Sequence, residues 1–253
     1  MRAWFGFAVL SCAVFAANAA CVAQSGARVV PLVELYTSEG CSSCPPADRW
    51  LSARALSATR EANFLAFHVD YWDAIGWRDR FGSPAYGRRQ RQRVAGAEGG
   101  DTVYTPQVMV GSDVRVAWSE PNKFSNALQS AGGPAKASIA LRLDPAPAGR
   151  SRATVVERNV GVATPGIRLW LAQYLDGQAT RVRAGENRGV MLRHDRVVTG
   201  LWGPWSLEDA KNQTQQAVFV TPSSPWGLVA FVQDPRGKTL QSLELPASRC
   251  EAR

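Results

Sequence analysis

Two cysteines separated by two serines are the residues of this sequence best suited to chemistry. Cys41 and Cys44 are followed at once by Pro45 and Pro46, and proline is tolerated in the first turn of a helix because the N–H groups there have no intrahelical partner. Residues 29–36 precede the pair and are rich in Val and Leu, which predicts a buried strand. The pair therefore stands at the start of a predicted helix, where the partial positive charge favours a thiolate over a thiol.

This placement predicts thiol–disulfide exchange. Cys41 is the candidate nucleophile and Cys44 the resolving thiol, and the reaction needs an exposed sulfur with a lowered pKa. Two other interpretations stay open: a permanent disulfide that staples a non-enzymatic binding module, and a metal clip in which Cys41, Cys44 and His68 bind copper(I) or another soft metal ion. Exchange needs no organic cofactor. Its expected partners are protein thiols or disulfides and a redox partner that the sequence does not identify.

The segments that follow predict the elements that hold the pair in place. Residues 62–69 are nearly all apolar and predict a second buried strand, parallel to the first, with the Cys-bearing helix as the crossover. Residues 70–82 are aromatic and punctuated by glycine, which predicts a long loop. His68, just before this loop, is either an acid or base of the site or a satisfied core residue. A strand that begins after Pro106, its hairpin partner and a helix over 119–130 complete this half of the chain.

A run of arginines lies on another predicted helix, which begins at Ser83-Pro84 and reaches about residue 94. The four are Arg88, Arg89, Arg91 and Arg93. A solvent-facing basic surface is the simplest interpretation of such a run. Capture of an acidic partner near the cysteine pair is the functional alternative.

The second half of the chain has the two-residue periodicity of antiparallel strands. Gly132, Gly133 and Pro134 form a linker, and alternating or apolar segments follow at 138–143, 153–160, 167–175, 217–221, 227–233 and 239–245. Period-two strands joined by short turns predict an antiparallel, sandwich-like sheet.

The first twenty residues predict export to the periplasm or the medium. Arg2 is followed by an apolar stretch and by an Ala-Asn-Ala cleavage signal at 17–19, which is a signal-peptide pattern too short to span a membrane. No later stretch predicts a membrane span. Export permits disulfides, so cysteine parity leaves two alternatives: Cys21 pairs with Cys250, or Cys250 is an inert thiol. The net charge of +8 is attributed to a solvated basic face and not to nucleic-acid binding.

Four segments resemble an exported bacterial family catalogued as domain of unknown function 1223. They read VELYTSEGCSSCPPAD (33–48), FHVDYWD-x-x-GW (67–77), VYTPQ-x-x-VG (103–111) and GENRG (185–189). The strand, turn, Cys-x-x-Cys and helix, followed by Thr-Pro at a strand start, are also similar to the thioredoxin-like superfamily. The family has no assigned biochemical role, so the resemblance implies a fold directly and a function only by analogy.

The resemblance and the periodicity of the second half together imply a two-domain chain. The predicted fold class is an α/β thioredoxin-like domain followed by an antiparallel β-rich, sandwich-like domain. After a signal peptide over 1–20, the first domain is assigned to 27–131, with a helical insertion at about 71–100. The second is assigned to 135–246.

The resemblance also assigns three residues to the site. In the thioredoxin-like fold a cis-proline faces the cysteine pair, Thr105-Pro106 matches it in type and order, and a substrate chain would add there as a strand. Thioredoxins carry a buried acid on the first strand that helps proton transfer to the resolving cysteine. Glu34 is the candidate for that acid, and a solvent-facing strand-end glutamate is the alternative. The predicted function is disulfide exchange on exported proteins through a mixed disulfide at Cys41.

Overall fold

The computed structural model describes residues 21–58, 61–97, 102–160, 165–207 and 212–251, and strands outnumber helices in these ranges. The described strands are β1 (Cys21–Gln24), β2 (Leu32–Thr37), β3 (Asn63–His68), β4 (Gln107–Val110), β5 (Ala137–Ala146), β6 (Arg150–Asn159), β7 (Arg168–Leu175), β8 (Gln178–Arg181), β9 (Met191–His194), β10 (Val197–Ser206), β11 (Gln213–Val220), β12 (Trp226–Gln233) and β13 (Thr239–Pro246). The described helices are α1 (Pro45–Ala55), α2 (Pro84–Ala95), α3 (Pro121–Ala131) and α4 (Ser248–Glu251), with a 3-10 turn at Asp73–Ile75. None of the helices in these ranges has the length and apolar character needed to cross a bilayer.

A seven-stranded sheet is the centre of the fold, with the strand order β13-β12-β7-β10-β3-β2-β4. As predicted, β2 and β3 are parallel and α1 connects them. On the other side of β3, the sheet continues into strands from the second half of the chain. Val197 of β10 pairs in parallel with Ala66 of β3, and the Ala66 N–H donates to the Arg196 carbonyl at 2.8 Å.

The predicted fold class is therefore wrong. The described chain is mostly β-sheet, arranged as three sheets, and is not an α/β thioredoxin-like domain followed by a sandwich. Only the β-rich character predicted for the second half agrees with the structure. The physical reason is that β3 is buried and must satisfy its backbone N–H and C=O groups on both edges. Periodicity identifies strands but not their partners, so it did not indicate that β10 joins that edge, which it does through the pair Val197 and Ala66. The domain boundaries remain predictions.

Both faces of the seven-stranded sheet are covered. Helix α2 packs on one face, in a core that includes Tyr36 and Phe67, and α1 and α3 pack on the other face, in a core that includes Val33 and Leu35. A four-stranded sheet, β1-β5-β6-β11, covers the rest of that second face. A two-stranded hairpin of β8 and β9 makes the third sheet.

The predicted disulfide between Cys21 and Cys250 is confirmed, and the alternative of a free Cys250 is wrong. This disulfide joins β1 to α4, with the two Cα atoms 5.3 Å apart. The signal peptide predicted over residues 1–20 lies outside the described residues.

The helices largely follow their sequence signals. The hydroxyl of Ser83 accepts a hydrogen bond from the Ala85 N–H at 3.3 Å, and Pro84 opens α2, as predicted.

Near β4 the prediction was wrong, because residues 115–118 do not form a hairpin strand. The chain instead turns tightly after β4, where Val110 and Asp113 exchange two backbone hydrogen bonds, and the Val116 N–H donates to the Val108 carbonyl at 3.1 Å.

Candidate functional site

Cys41 and Cys44 form a disulfide at the start of α1, with Cα atoms 5.4 Å apart. The carbonyl of Cys44 accepts hydrogen bonds from the N–H groups of Ala47 and Asp48, so the pair is fixed to the first turn of the helix. The intervening serines are exposed, but both cysteines are 0% exposed. The disulfide thus lies immediately below the surface. The exposed sulfur that exchange requires is not present in this conformation.

A loop from the second half of the chain packs against the turn that carries the disulfide. This cap loop, residues 185–189 (GENRG), contacts the backbone around Cys41. The Ser42 N–H donates to the exposed Glu186 carboxylate at 2.9 Å, and hydrogen bonding by the Ser42 side chain, together with this backbone bond, lowers the Glu186 pKa. The buried Asn187 amide donates to the carbonyl of Glu39 at 2.9 Å and to that of Cys41 at 3.0 Å. The GENRG segment therefore holds the cysteine turn through backbone contacts.

A second loop, residues 70–82, contacts both the cysteine turn and Thr105. The Trp72 indole N–H donates to the Thr105 hydroxyl at 2.8 Å, and the Trp77 indole N–H donates to the Glu39 carboxylate at 2.9 Å. This aromatic loop meets the cap loop at Gly185. A Cβ at Gly185 would lie 3.1 Å from the Trp77 Cβ, and the φ angle of +70° is also one that favours glycine.

Thr105 and Pro106 lie beside the cysteine pair, as the sequence analysis predicted. The Thr105–Pro106 peptide bond is cis, which confirms that part of the prediction. The Thr105 carbonyl oxygen lies 3.8 Å from Cys41 Sγ, and the Ser43 hydroxyl lies 3.3 Å from the same sulfur. The structure thus brings four of the predicted site residues together: Cys41, Cys44, Thr105 and Pro106.

Glu34 is not brought to the cysteines. It is only 1% exposed, so the solvent-facing alternative is wrong, and its side chain lies on the face of the sheet that α2 covers. Arg89 donates two hydrogen bonds to its carboxylate, both at 2.9 Å, and Gln233 and Tyr36 donate one each. Burial alone would raise the Glu34 pKa, but Arg89 and Arg93 outweigh it and lower the pKa to about 2. These contacts describe an ion-paired carboxylate in the core.

Five buried ionisable side chains that the sequence analysis did not connect lie behind the cysteine turn. They come from the turn before Cys41, from α1, from the end of β3, from the aromatic loop and from β9, and they are Glu39, Asp48, His68, Asp79 and His194. We call this set the acid–imidazole cluster. It contains both histidines of the 253-residue chain.

Asp79 holds one half of the cluster together. Its Oδ2 atom accepts a hydrogen bond from the Glu39 N–H at 2.8 Å and lies 2.6 Å from His68 Nδ1. Burial would lower the His68 pKa, but the Asp79 carboxylate outweighs burial and raises it. Burial would likewise raise the Asp79 pKa, but His68 lowers it. The two groups therefore stabilise each other as an ion pair.

His194 occupies the other half of the cluster. Its Nε2 lies 3.5 Å from Glu39 Oε1 and its Nδ1 lies 3.7 Å from Asp48 Oδ2, while its ring is 4.9 Å from that of His68. Burial raises the Asp48 pKa, against the opposing influence of both imidazoles. Because Asp48 follows Cys44 by four residues at the start of α1, both side chains lie on the same side of the helix.

The sequence contained only weak signals for this cluster. Asp48 belongs to the segment CSSCPPAD, which was noted for its cysteines and prolines, and His194 follows the GENRG segment without a motif of its own. The predicted metal alternative has no support from this geometry, because Asp79 engages His68. Among the described residues, no group of three or more His, Cys, Asp or Glu side chains is arranged to hold a metal ion.

Comparisons with known proteins identify relatives but no activity. A family model described as protein of unknown function (DUF1223) matches residues 32–233. The crystal structure of protein AGR_C_4864 from Agrobacterium tumefaciens is 20% identical, with a TM-score of 0.59 and coverage of 86% of this chain and 94% of that one. HBP35 of Porphyromonas gingivalis is 15% identical, with a TM-score of 0.64 and coverage of 87% and 76%. At these identities the likeness concerns the fold alone. No curated protein matches.

Proposed function

This chain belongs to the DUF1223 family of proteins of unknown function, and we propose that it is an exported thiol–disulfide oxidoreductase whose active disulfide is covered by the cap loop at rest. The observation that carries the proposal is the Cys41–Cys44 disulfide at the start of α1, beneath two exposed serines. Export is supported by the signal-like first twenty residues and by two disulfides, which persist in oxidising compartments.

The reaction requires only the two thiols and a partner disulfide. In the reduced protein the Cys41 thiolate attacks one sulfur of the partner disulfide, a mixed disulfide forms, and the other partner sulfur leaves as a thiolate. The Cys44 thiolate then attacks Cys41 Sγ, which restores the Cys41–Cys44 disulfide and releases the second partner thiol. Two electrons pass from the protein to the partner, and the reverse sequence oxidises a partner dithiol.

Access to Cys41 depends on movement of the cap loop. Its contacts with the cysteine turn include a solvent-exposed hydrogen bond from Ser42 to Glu186 and two from Asn187. The Asn187 bonds together are worth about 1–3 kcal/mol, so a state with the loop displaced is a minor but reachable population. A partner whose backbone replaced these hydrogen bonds would shift the population toward the open state.

We assign to Asp48 the proton-transfer role predicted for Glu34. The Asp48 side chain is buried, has a raised pKa and follows Cys44 by one helical turn. A carboxyl group of this kind takes up the proton of the Cys44 thiol as that sulfur attacks the mixed disulfide. The Glu34 carboxylate is instead held by Arg89 on the other face of the sheet.

Trapping of the mixed disulfide tests the proposal. The matched variants are Cys44→Ser, which keeps the nucleophile, and Cys41→Ser, which removes it. Each variant is reduced and then incubated with an unfolded partner protein that carries an activated aryl disulfide. The mixed-disulfide adducts are counted by intact mass. We expect Cys44→Ser to accumulate the adduct and Cys41→Ser to form at least about ten-fold less, because only the first thiol of such a motif is the attacking one. Equal adducts in both variants, or none in either, would overturn the assignment.

A structural staple is the second candidate, and the 0% exposure of both cysteines favours it. In that case the disulfide holds the cysteine turn of a non-enzymatic binding module. Equilibration of the native protein with glutathione buffers distinguishes the two. A reduction potential below about −300 mV identifies a structural disulfide, and a potential near those of glutaredoxins or disulfide isomerases, about −230 to −180 mV, identifies an exchanging one.

A further inference from the structure

A cavity lies on the face of the seven-stranded sheet that α2 covers, away from the cysteine pair. Its volume is about 330 Å³, and it opens between α2, the start of β7 and the turn from β12 to β13. Four arginines line it: Arg89, Arg93, Arg168 and Arg236. Two of them belong to the arginine run noted in the sequence. The solvent-facing interpretation of that run holds for Arg88 and Arg91 but is wrong for the other two, which are buried.

Positive charge predominates around this arginine cavity. Among the described residues, the carboxylates beside the guanidinium groups of Arg89, Arg93 and Arg168 are that of Asp234 in the lining and that of Glu34 behind it. Asp234 turns toward its own loop, where one of its oxygens accepts the N–H groups of Arg236 and Lys238, both at 2.9 Å. A concave surface with an excess of one sign of charge concentrates ions of the opposite sign. The cavity is therefore suited to an anion.

Arg93 adds buried positive charge to the wall of the cavity. It is 6% exposed and donates to the carbonyl groups of Gly237 and Gly111. Its Nε forms an ion pair with Glu34 Oε1 at 3.4 Å, and Arg89 binds the same carboxylate through two hydrogen bonds. One carboxylate thus stands against two buried guanidinium groups, and an anion in the cavity would balance the remaining charge.

The remaining walls are flat and apolar. Trp170, Pro204 and Pro235 line the cavity beside the arginines, and the Arg89 guanidinium lies 4.7 Å from the centroid of the Trp170 ring. Ligand pockets of about 300–1,000 Å³ combine such apolar surface with a few polar groups that fix orientation. This cavity is at the small end of that range, so its occupant is a small molecule.

We propose that the arginine cavity binds a small organic anion, with a phosphate or carboxylate head against Arg93 and Arg168 and an apolar body against Trp170. The site is independent of the cysteine pair, because it lies on the other face of the sheet and shares no residue with it. It also gives the buried arginines of α2 a function other than capture of an acidic partner near the disulfide.

Calorimetric titration of the full-length protein with phenyl phosphate, benzoate and inorganic phosphate tests the proposal. The variant is Arg168→Gln, because Arg168 is exposed and its loss leaves the core intact. Arg152→Gln is the matched control, since Arg152 is also an exposed arginine on a strand but belongs to the four-stranded sheet. We expect Arg168→Gln to weaken binding of the preferred organic probe about ten-fold, the effect of one charge-assisted hydrogen bond, and Arg152→Gln to leave it unchanged.

The three probes also determine the nature of the ligand. Tighter binding of phenyl phosphate than of inorganic phosphate supports contact between the ligand and the apolar wall of the cavity. Trp170→Phe should reduce that preference. Comparison of phenyl phosphate with benzoate identifies the preferred head group. The proposal is overturned if none of the probes binds at millimolar concentration, if inorganic phosphate binds as tightly as both organic probes, or if the two arginine variants weaken binding equally.

Discussion

At the residue scale, the chemistry of Cys41 depends on what covers it. Its sulfur lies at a helix start, a position that favours the thiolate, yet the side chain is 0% exposed. Asn187 is the residue that most directly controls this cover, because its amide bridges the carbonyl groups on both sides of the cysteine turn. We therefore expect the reactivity of Cys41 to depend on the opening of the cap loop as well as on the thiol pKa.

Replacement of Asn187 should expose the nucleophile. We expect Asn187→Ala, made in the Cys44→Ser background so that only Cys41 reacts, to raise the rate of alkylation by iodoacetamide about 5- to 30-fold, which corresponds to the loss of 1–2 kcal/mol of hydrogen bonding. Asn122→Ala is the control, because Asn122 is exposed on α3. An unchanged rate, or an equal rise in the control, would show that the cap loop does not limit access.

The sequence predicted the residues of the site that are adjacent in a motif and missed those that meet only in three dimensions. Cys41, Cys44 and Thr105-Pro106 were found because their types and order carry information. Asp48 and His194 were missed as partners because one lies on α1 and the other on a strand encoded almost 150 residues later. Glu34 was assigned by resemblance to the buried acid on the first strand of thioredoxins, but a strand turns alternate residues to opposite faces, and Glu34 faces α2.

At the element scale, the strands were easier to predict than the way in which they pair within the sheets. The alternation in β5, β6 and β7 identified these segments, because inward positions must be apolar where one face is buried. Strand β6 departs from that rule at Glu157. Glu157 occupies an inward position in register with Ala153 and Val155, and neither of its carboxylate oxygens has a hydrogen-bond partner among the described residues.

Glu157 should make the stability of the fold depend on pH. Burial raises its pKa to about 7, whereas an unfolded glutamate ionises near 4.5. The unfolded state therefore loses its proton first as the pH rises, and the native state loses stability between about pH 4.5 and 7. We expect the stability of Glu157→Gln relative to the native protein to increase by about 2 kcal/mol from pH 4.5 to 8, measured by urea unfolding.

An exposed carboxylate provides the comparison. Glu61→Gln removes a glutamate that is exposed before β3, so its stability should follow that of the native protein at each pH. If Glu157→Gln and Glu61→Gln give parallel profiles, the Glu157 carboxyl group is not desolvated in solution.

At the scale of the whole molecule, the two halves of the chain are joined by a sheet and by a disulfide between distant cysteines. The sheet could not be predicted because the pairing of β3 with β10 depends on which edges remain free after the other elements have packed. The number of cysteines alone predicted the Cys21–Cys250 disulfide as one of two alternatives. It closes a loop with a sequence separation of 229 residues, against three for the Cys41–Cys44 pair.

Loss of the long-range disulfide should destabilise the protein more than loss of the short one. In the chain-entropy model a longer loop restricts the unfolded state more, so Cys21→Ser/Cys250→Ser should lower the free energy of unfolding by about 3–5 kcal/mol and Cys41→Ser/Cys44→Ser by about 2 kcal/mol. Urea titrations of both double variants measure the difference. A smaller loss for the Cys21–Cys250 variant than for the other would contradict this account.

The position of β10 in the central sheet also affects how the chain matures. Strand β3 is synthesised early, but the strand that covers its open edge is encoded in the last quarter of the sequence. Until that segment emerges, the growing polypeptide presents unpaired backbone groups that can template association with another molecule. We therefore expect fragments that end before residue 197 to accumulate as aggregates, because this edge of β3 stays unpaired in them.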